Sequence, residues 1–137
     1  MSFNVEQSKH NIDSNRYLAK ANPDYRDWEI TTLFYSAIHL VNAYFLLATN
    51  KKPNTHDKRK KLIESELNSI YRDYYSLECL SRKARYEPTY QNLTPEEVNK
   101  AIDCYNAIFA HVKKQLQELG DDAVQPLLDG DFWERLR

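Results

Sequence analysis

The chain has 137 residues, a formal net charge of -1 and only 2 glycines, Gly120 and Gly130, both among the last eighteen residues. At roughly 100–200 residues per domain this length is one domain. Average glycine usage is roughly 7%, so a glycine-free stretch from residue 1 to 119 excludes a Gly-rich phosphate loop and argues against tight hairpins and Gly-lined α/β turns. The expectation is an all-α fold: an up-down four-helix bundle over residues 1–120, with residues 121–137 as a short helical or irregular tail docking on the same domain.

The first predicted helix runs from about Phe3 to Ala21 and stops before Pro23. Its apolar positions, among them Val5, Ile12 and Tyr17, are sparse, which predicts packing on one side only. The second starts near Asp24 and reaches about Thr49. Ile30, Leu33, Phe34, Ala37, Leu40, Val41, Tyr44 and Leu47 cover most of its circumference, the pattern of a buried central helix. Asn50-Lys51-Lys52-Pro53 breaks the chain, and Asn54 or Thr55 caps a third helix with Asp57 in its first turn. That helix is predicted as one long element to about Glu87 before Pro88, with an irregularity near Asn68-Ser69. The fourth has the strongest start signal: Thr94 as N-cap, Pro95 in the first position and Glu97 in the third. Val98, Ile102, Tyr105, Phe109, Val112, Leu116 and Leu119 follow at four-three spacing up to Gly120. The tail then places Leu127, Leu128, Phe132, Trp133 and Leu136 where a solvated acidic segment would place none.

Nothing in the opening residues matches a secretory leader, and no uninterrupted apolar run approaches the roughly 18 residues of a membrane span. Cys79 and Cys104 stand alone, as reduced thiols on packed helices do. The expected location is the cytoplasm. No His or Cys pair has metal-ligand spacing, no nucleophile elbow is present, and no cofactor is expected.

Charge is unevenly spread. Residues 51–86 carry 10 Lys/Arg against 5 Asp/Glu, and residues 87–137 carry the reverse. A local positive field attracts phosphates even where the total is near zero. Three clusters of chemistry stand out. On the second helix, Trp28, Thr32, Tyr35, His39, Asn42 and Leu46 form one polar stripe, and each unpartnered buried group there would cost about 1–3 kcal/mol. At the start of the third helix, His56 and Arg59 are three apart on one face, with Lys60 beside them. A neutral histidine handles protons near pH 7 and an arginine grips phosphate oxygens in pairs. Near the end of that helix, Arg82 and Arg85 share a face, and Tyr86 offers a ring for stacking. Basic residues there also complement the helix dipole.

Taken together, Phe34-Tyr35-Ser36-Ala37-Ile38-His39, then His56...Arg59, then Ala84-Arg85-Tyr86, resemble a group of small prokaryotic HEPN-like proteins over roughly residues 10–90. The resemblance implies a helical bundle, often a homodimer, that binds RNA or nucleotides. It further implies a toxin-antitoxin or defence setting, and for some members a nucleotidyltransferase partner. Its ribonuclease members cleave RNA without metal and carry an arginine roughly one to two helical turns ahead of a histidine. None of His10, His39, His56 or His111 has such an arginine, and Arg59 follows His56. The leading expectation is therefore phosphate binding through Arg59, Arg82, Arg85, Tyr86 and Tyr35. A ribonuclease using His39 or His56 is the alternative, and a protein-interaction module the third.

Overall fold

A computed structural model describes residues 2–21, 25–86 and 93–119 of the chain. It is helical throughout, with no strand among the described residues. The helices are α1 (Ser2–Ala21), α2 (Arg26–Thr49), α3 (His56–Glu66), α4 (Tyr71–Tyr86) and α5 (Pro95–Leu119), with a 3-10 turn at Asn68–Ile70 between α3 and α4. Gly120 and the aromatic tail, 121–137, lie outside the described residues.

As its sequence pattern predicts, α2 is the central element. It packs against α1, α4 and α5, and α4 also packs on α5. Ile30, Leu33, Phe34, Ala37, Val41, Ala43 and Phe45 on α2 are fully buried, facing Ile12 of α1, Ile63 of α3, Tyr74 and Leu77 of α4, and Tyr105, Ile108, Val112 and Leu116 of α5. α2 is also the one described helix long and apolar enough to cross a membrane, by length and composition alone. Most of that stretch is buried inside the protein, as in a core helix.

The polar atoms inside this core are paired across helices. Ser36 of α2 meets Ser8 of α1 at 2.7 Å and donates to the Tyr105 hydroxyl of α5 at 3.1 Å. Burial, only partly offset by these serines, raises the Tyr105 pKa far above that of a free phenol. The node fixes three helices in register and keeps Tyr105 a neutral partner.

The helix ends obey local rules. Thr94 and Glu97 form the expected capping box: the Glu97 amide donates to Thr94 Oγ1 at 3.1 Å and the Thr94 amide to Glu97 Oε1 at 3.0 Å. α2 ends on Asn50, in the left-handed region at φ 54, with the amides of Asn50 and Lys51 donating back to Leu46 and Phe45.

The third predicted helix is two helices. Leu67 leaves helical geometry at φ -141 and ψ 43, closing α3. Asn68 turns its side-chain amide onto the Glu64 carbonyl, and Ser69 pairs with His111 Nε2 of α5 at 2.7 Å. Short polar side chains that bond locally compete with helix propagation. The break lets Leu67 and Ile70 both reach the core, and it lets α4 run back along α3 with its own face toward the α3 N-terminus.

Candidate functional site

The site is built where the start of α3 meets α2 and α4. After the Asn50 cap the chain passes Pro53, and Thr55 caps α3, its Oγ1 accepting from the Lys58 amide at 3.1 Å. His56 is the first helical residue. One turn on, Arg59 points inward and is only 5% exposed. Its Nε donates to Asn42 Oδ1 of α2 at 2.9 Å and its Nη2 to the Pro53 carbonyl at 3.1 Å. Arg59 thus clamps the α2–α3 connection. Its Nη1 lies 3.5 Å from His56 Nδ1. Arginine only donates, so the contact is favourable when that nitrogen carries no proton. The His56 ring stacks on Phe34, centroids 5.8 Å apart and planes 26° apart.

α4 supplies the opposite wall. Tyr74, Glu78, Ser81 and Arg85 recur at four-three spacing and so share a face. Glu78 is buried, and its Oε1 holds two cations, Lys60 Nζ at 2.9 Å and Arg82 Nη2 at 3.1 Å. Arg85 is framed by aromatic faces, its guanidinium carbon 5.8 Å from the Phe34 centroid, 5.7 Å from Tyr35 and 5.3 Å from Tyr86. Its Nη1 donates to the Tyr35 hydroxyl at 3.1 Å and its Nε to the Ser81 carbonyl at 3.3 Å. His56, Asp57, Lys60, Glu78, Arg82, Arg85 and Tyr86 together line a cleft of about 180 Å³. Pockets for whole drug-sized ligands start at about 300 Å³, so this one fits a charged group and its immediate substituent.

The cleft is cationic, and its histidine is held below the ordinary imidazole range. Three cations, Lys60, Arg82 and Arg85, stand against the carboxylates of Asp57 and Glu78. Burial and then the neighbouring Arg59 charge hold His56 below the ordinary imidazole value of 6.5, opposed by Glu78. Lys60 is pushed the other way, chiefly by its hydrogen bond to Glu78, and stays charged. Burial and Arg59 also lower His39.

Both imidazoles are therefore expected to titrate below 6.5, and proton NMR of the ring resonances measures this directly. A His56 value at or above 6.5 contradicts the geometry. The sign for stability follows. As pH falls below about 6.5, the unfolded chain binds protons at these two sites before the folded chain does, so stability drops as the pH falls through that window and is flat above it.

Four of the seven residues singled out by sequence, His56, Arg82, Arg85 and Tyr86, line this one cleft, and Tyr35 joins it through Arg85. His39 is elsewhere, facing α1, with Nδ1 2.8 Å from Asn4 Oδ1. Arg59 is beneath the cleft rather than in it. It lines a separate opening with Asn4, Asn42, Leu46, Lys52, Pro53 and Asn54. Part of the polar stripe of α2 is taken up by packing, since Asn15 of α1 donates to Thr32 and to the Glu29 carbonyl and Asn42 takes Arg59, while Trp28 and Tyr35 stay exposed. Of the other three lining residues, Asp57 reads from sequence only as a first-turn residue and Lys60 only as a neighbour of His56 and Arg59, while Glu78 escaped the sequence reading. A carboxylate one turn ahead of Arg82, inside the stripe that holds Tyr74 and Ser81, was the available signal. No cluster of metal-ligating side chains occurs among the described residues, and both cysteines are free. Comparison with protein-family models, with curated proteins and with solved structures finds no match.

Proposed function

We propose that this chain is a HEPN-like helical protein that binds RNA or a nucleotide through its phosphate, in the cleft between α3 and α4. One observation carries the reading. His56, Arg82, Arg85 and Tyr86, chosen from two separate stretches of sequence for phosphate and base chemistry, line one small cationic cleft. Arg85 and Arg82 are the phosphate ligands, Lys60 adds charge, and Tyr86, 75% exposed at the rim, is a platform for a base. The surrounding surface is also basic: Lys51, Lys52, Lys58 and Lys61 line a groove on the next face of α3, which would extend contact along a strand. A homodimer and a protein partner of the nucleotidyltransferase type belong to the same reading.

Binding of a labelled single-stranded RNA across a salt series tests it. Three phosphate contacts give a slope of about -2 in log affinity against log salt, at about -0.7 per contact. Affinity that does not change with salt removes phosphate contact from the account.

The second reading, metal-independent RNA cleavage, is favoured by one feature: His56, its pKa lowered by burial, lines one cleft with the Arg85 guanidinium. Such a pair can take a proton from an attacking hydroxyl and stabilise charge on phosphorus. Cleavage in EDTA that is lost in His56→Ala and kept in His39→Ala supports it. Absence of cleavage, or cleavage unchanged in His56→Ala, leaves binding alone.

A further inference from the structure

Exposed aromatic rings continue the cleft along α2. Tyr86, at the end of α4, is 75% exposed, Trp28 in the first turn of α2 is 56% exposed and Tyr35 is 36% exposed. Tryptophan is highly buried on average, so an open one is informative. Arg85 joins two of these rings, its guanidinium carbon 5.3 Å from the Tyr86 centroid and 5.7 Å from that of Tyr35. Trp28 lies two helical turns before Tyr35 on the same face of α2, about 10 Å further along the axis. It is also at the end of the bundle where α4 finishes. Arg26, in the same turn as Trp28, donates to the Leu93 carbonyl just before α5, and Lys83 in the last turn of α4 pairs with Glu97 in the first turn of α5.

What lies between the rings sets what can cover them. The core of an interface between protein chains is depleted of charged groups. Here a guanidinium stands between Tyr35 and Tyr86, and Thr32, bonded to Asn15 of α1, stands between Tyr35 and Trp28. Separate rings interleaved with polar groups, beside a cationic cleft, suit a single-stranded nucleic acid: each base offers a face for stacking and each nucleotide a phosphate. Asp27 and Glu29 flank Trp28 in sequence and repel phosphates there, so Trp28 meets a base and the backbone stays with the arginines.

Resting on the proposed phosphate-binding role, we infer that Tyr86, Tyr35 and Trp28 form a track for successive bases of a single-stranded nucleic acid, so that the full ligand of the cleft is a strand of about four nucleotides or more. A mononucleotide meets the arginines and Tyr86 alone. Trp28 is the residue that distinguishes the two.

The test measures binding of three probes to the full chain: adenosine 5′-monophosphate, an RNA octanucleotide of adenine, and the same octanucleotide without its bases. The octanucleotide is expected to bind about tenfold more tightly than the base-free strand. Trp28→Ala is expected to weaken the octanucleotide about tenfold and to leave the mononucleotide within about twofold. In a Trp133→Phe chain Trp28 is the one tryptophan. Saturating octanucleotide is expected to quench its fluorescence and the mononucleotide is not, a readout that keeps Trp28 itself intact. Octanucleotide binding unchanged in Trp28→Ala, a base-free strand bound as tightly as the octanucleotide, or Trp28 emission unmoved at saturation overturns the track and leaves phosphate binding intact. A wild-type dimer that becomes a monomer in Trp28→Ala assigns the ring to an interface between copies and also overturns it. If neither the mononucleotide nor any strand binds, the phosphate-binding role itself falls and takes the track with it.

Discussion

Phe34→Ala is expected to lose about 3–5 kcal/mol of stability in chemical denaturation. The side chain is fully buried at the middle of the central helix. Its ring lies 5.7 Å from Tyr74 and 5.9 Å from Tyr35, with His56 stacked above it and Arg85 over its face. Truncation removes the buried apolar surface and leaves a cavity that four side chains on three helices cannot collapse together. Phe34→Leu refills most of the volume and is expected to cost about 1–2 kcal/mol. A loss below about 1 kcal/mol for the alanine variant contradicts the packing. The position also links core to site. With its ring gone, His56 and Arg85 lose the surface that sets their spacing, so ligand affinity is expected to fall even in the fraction that stays folded.

Arg59→Ala is expected to cost about 3 kcal/mol. Arg59 lacks a carboxylate partner within ion-pair distance among the described residues. What holds it is Asn42, the Pro53 carbonyl and the contact with His56. Alanine leaves the first two without their donor in a buried place and unfastens the α2–α3 connection. Lysine cannot replace the fork of donors, so Arg59→Lys is expected to recover less than half the loss. Urea unfolding measures both; a cost under about 1 kcal/mol for alanine would make Arg59 a surface cation, at odds with its burial. The same variant has a second readout. Burial still depresses His56, but removal of the Arg59 charge raises its titration toward 6.5.

Arg59 shows what the sequence reveals and what it hides. Its pairing with His56 on one face was legible from the three-residue spacing. Its burial was not, because burial depends on Asn42 and the Pro53 carbonyl, which only the folded α2–α3 turn brings together. The central helix, the Thr94-Pro95-Glu97 start of α5 and the end of α2 at Asn50 were legible because each is written in local periodicity or capping chemistry. The break at Leu67 was visible only as an irregularity at Asn68-Ser69, since four-three spacing of Ile63, Leu67, Ile70 and Tyr74 continues through it. Ser69 is fixed by His111, a partner 42 residues away. His39 and His56 looked alike as lone histidines beside polar residues. One is spent on Asn4 of α1 and the other faces a cleft, and no spacing rule distinguishes them. Glu78 was read past because a charge inside an apolar stripe has no local meaning until Lys60 and Arg82 arrive from either side.

The central claim is that the α3–α4 cleft is where a phosphate-bearing ligand binds. The most direct test is to titrate adenosine 5′-monophosphate into the protein while following the ring resonances of the four histidines. The expected result is a saturable shift of His56 alone, with His10, His39 and His111 unmoved, and loss of that shift in Arg82→Ala/Arg85→Ala. A His56 resonance that stays still at saturating nucleotide, or a shift at His39 instead, would contradict the account.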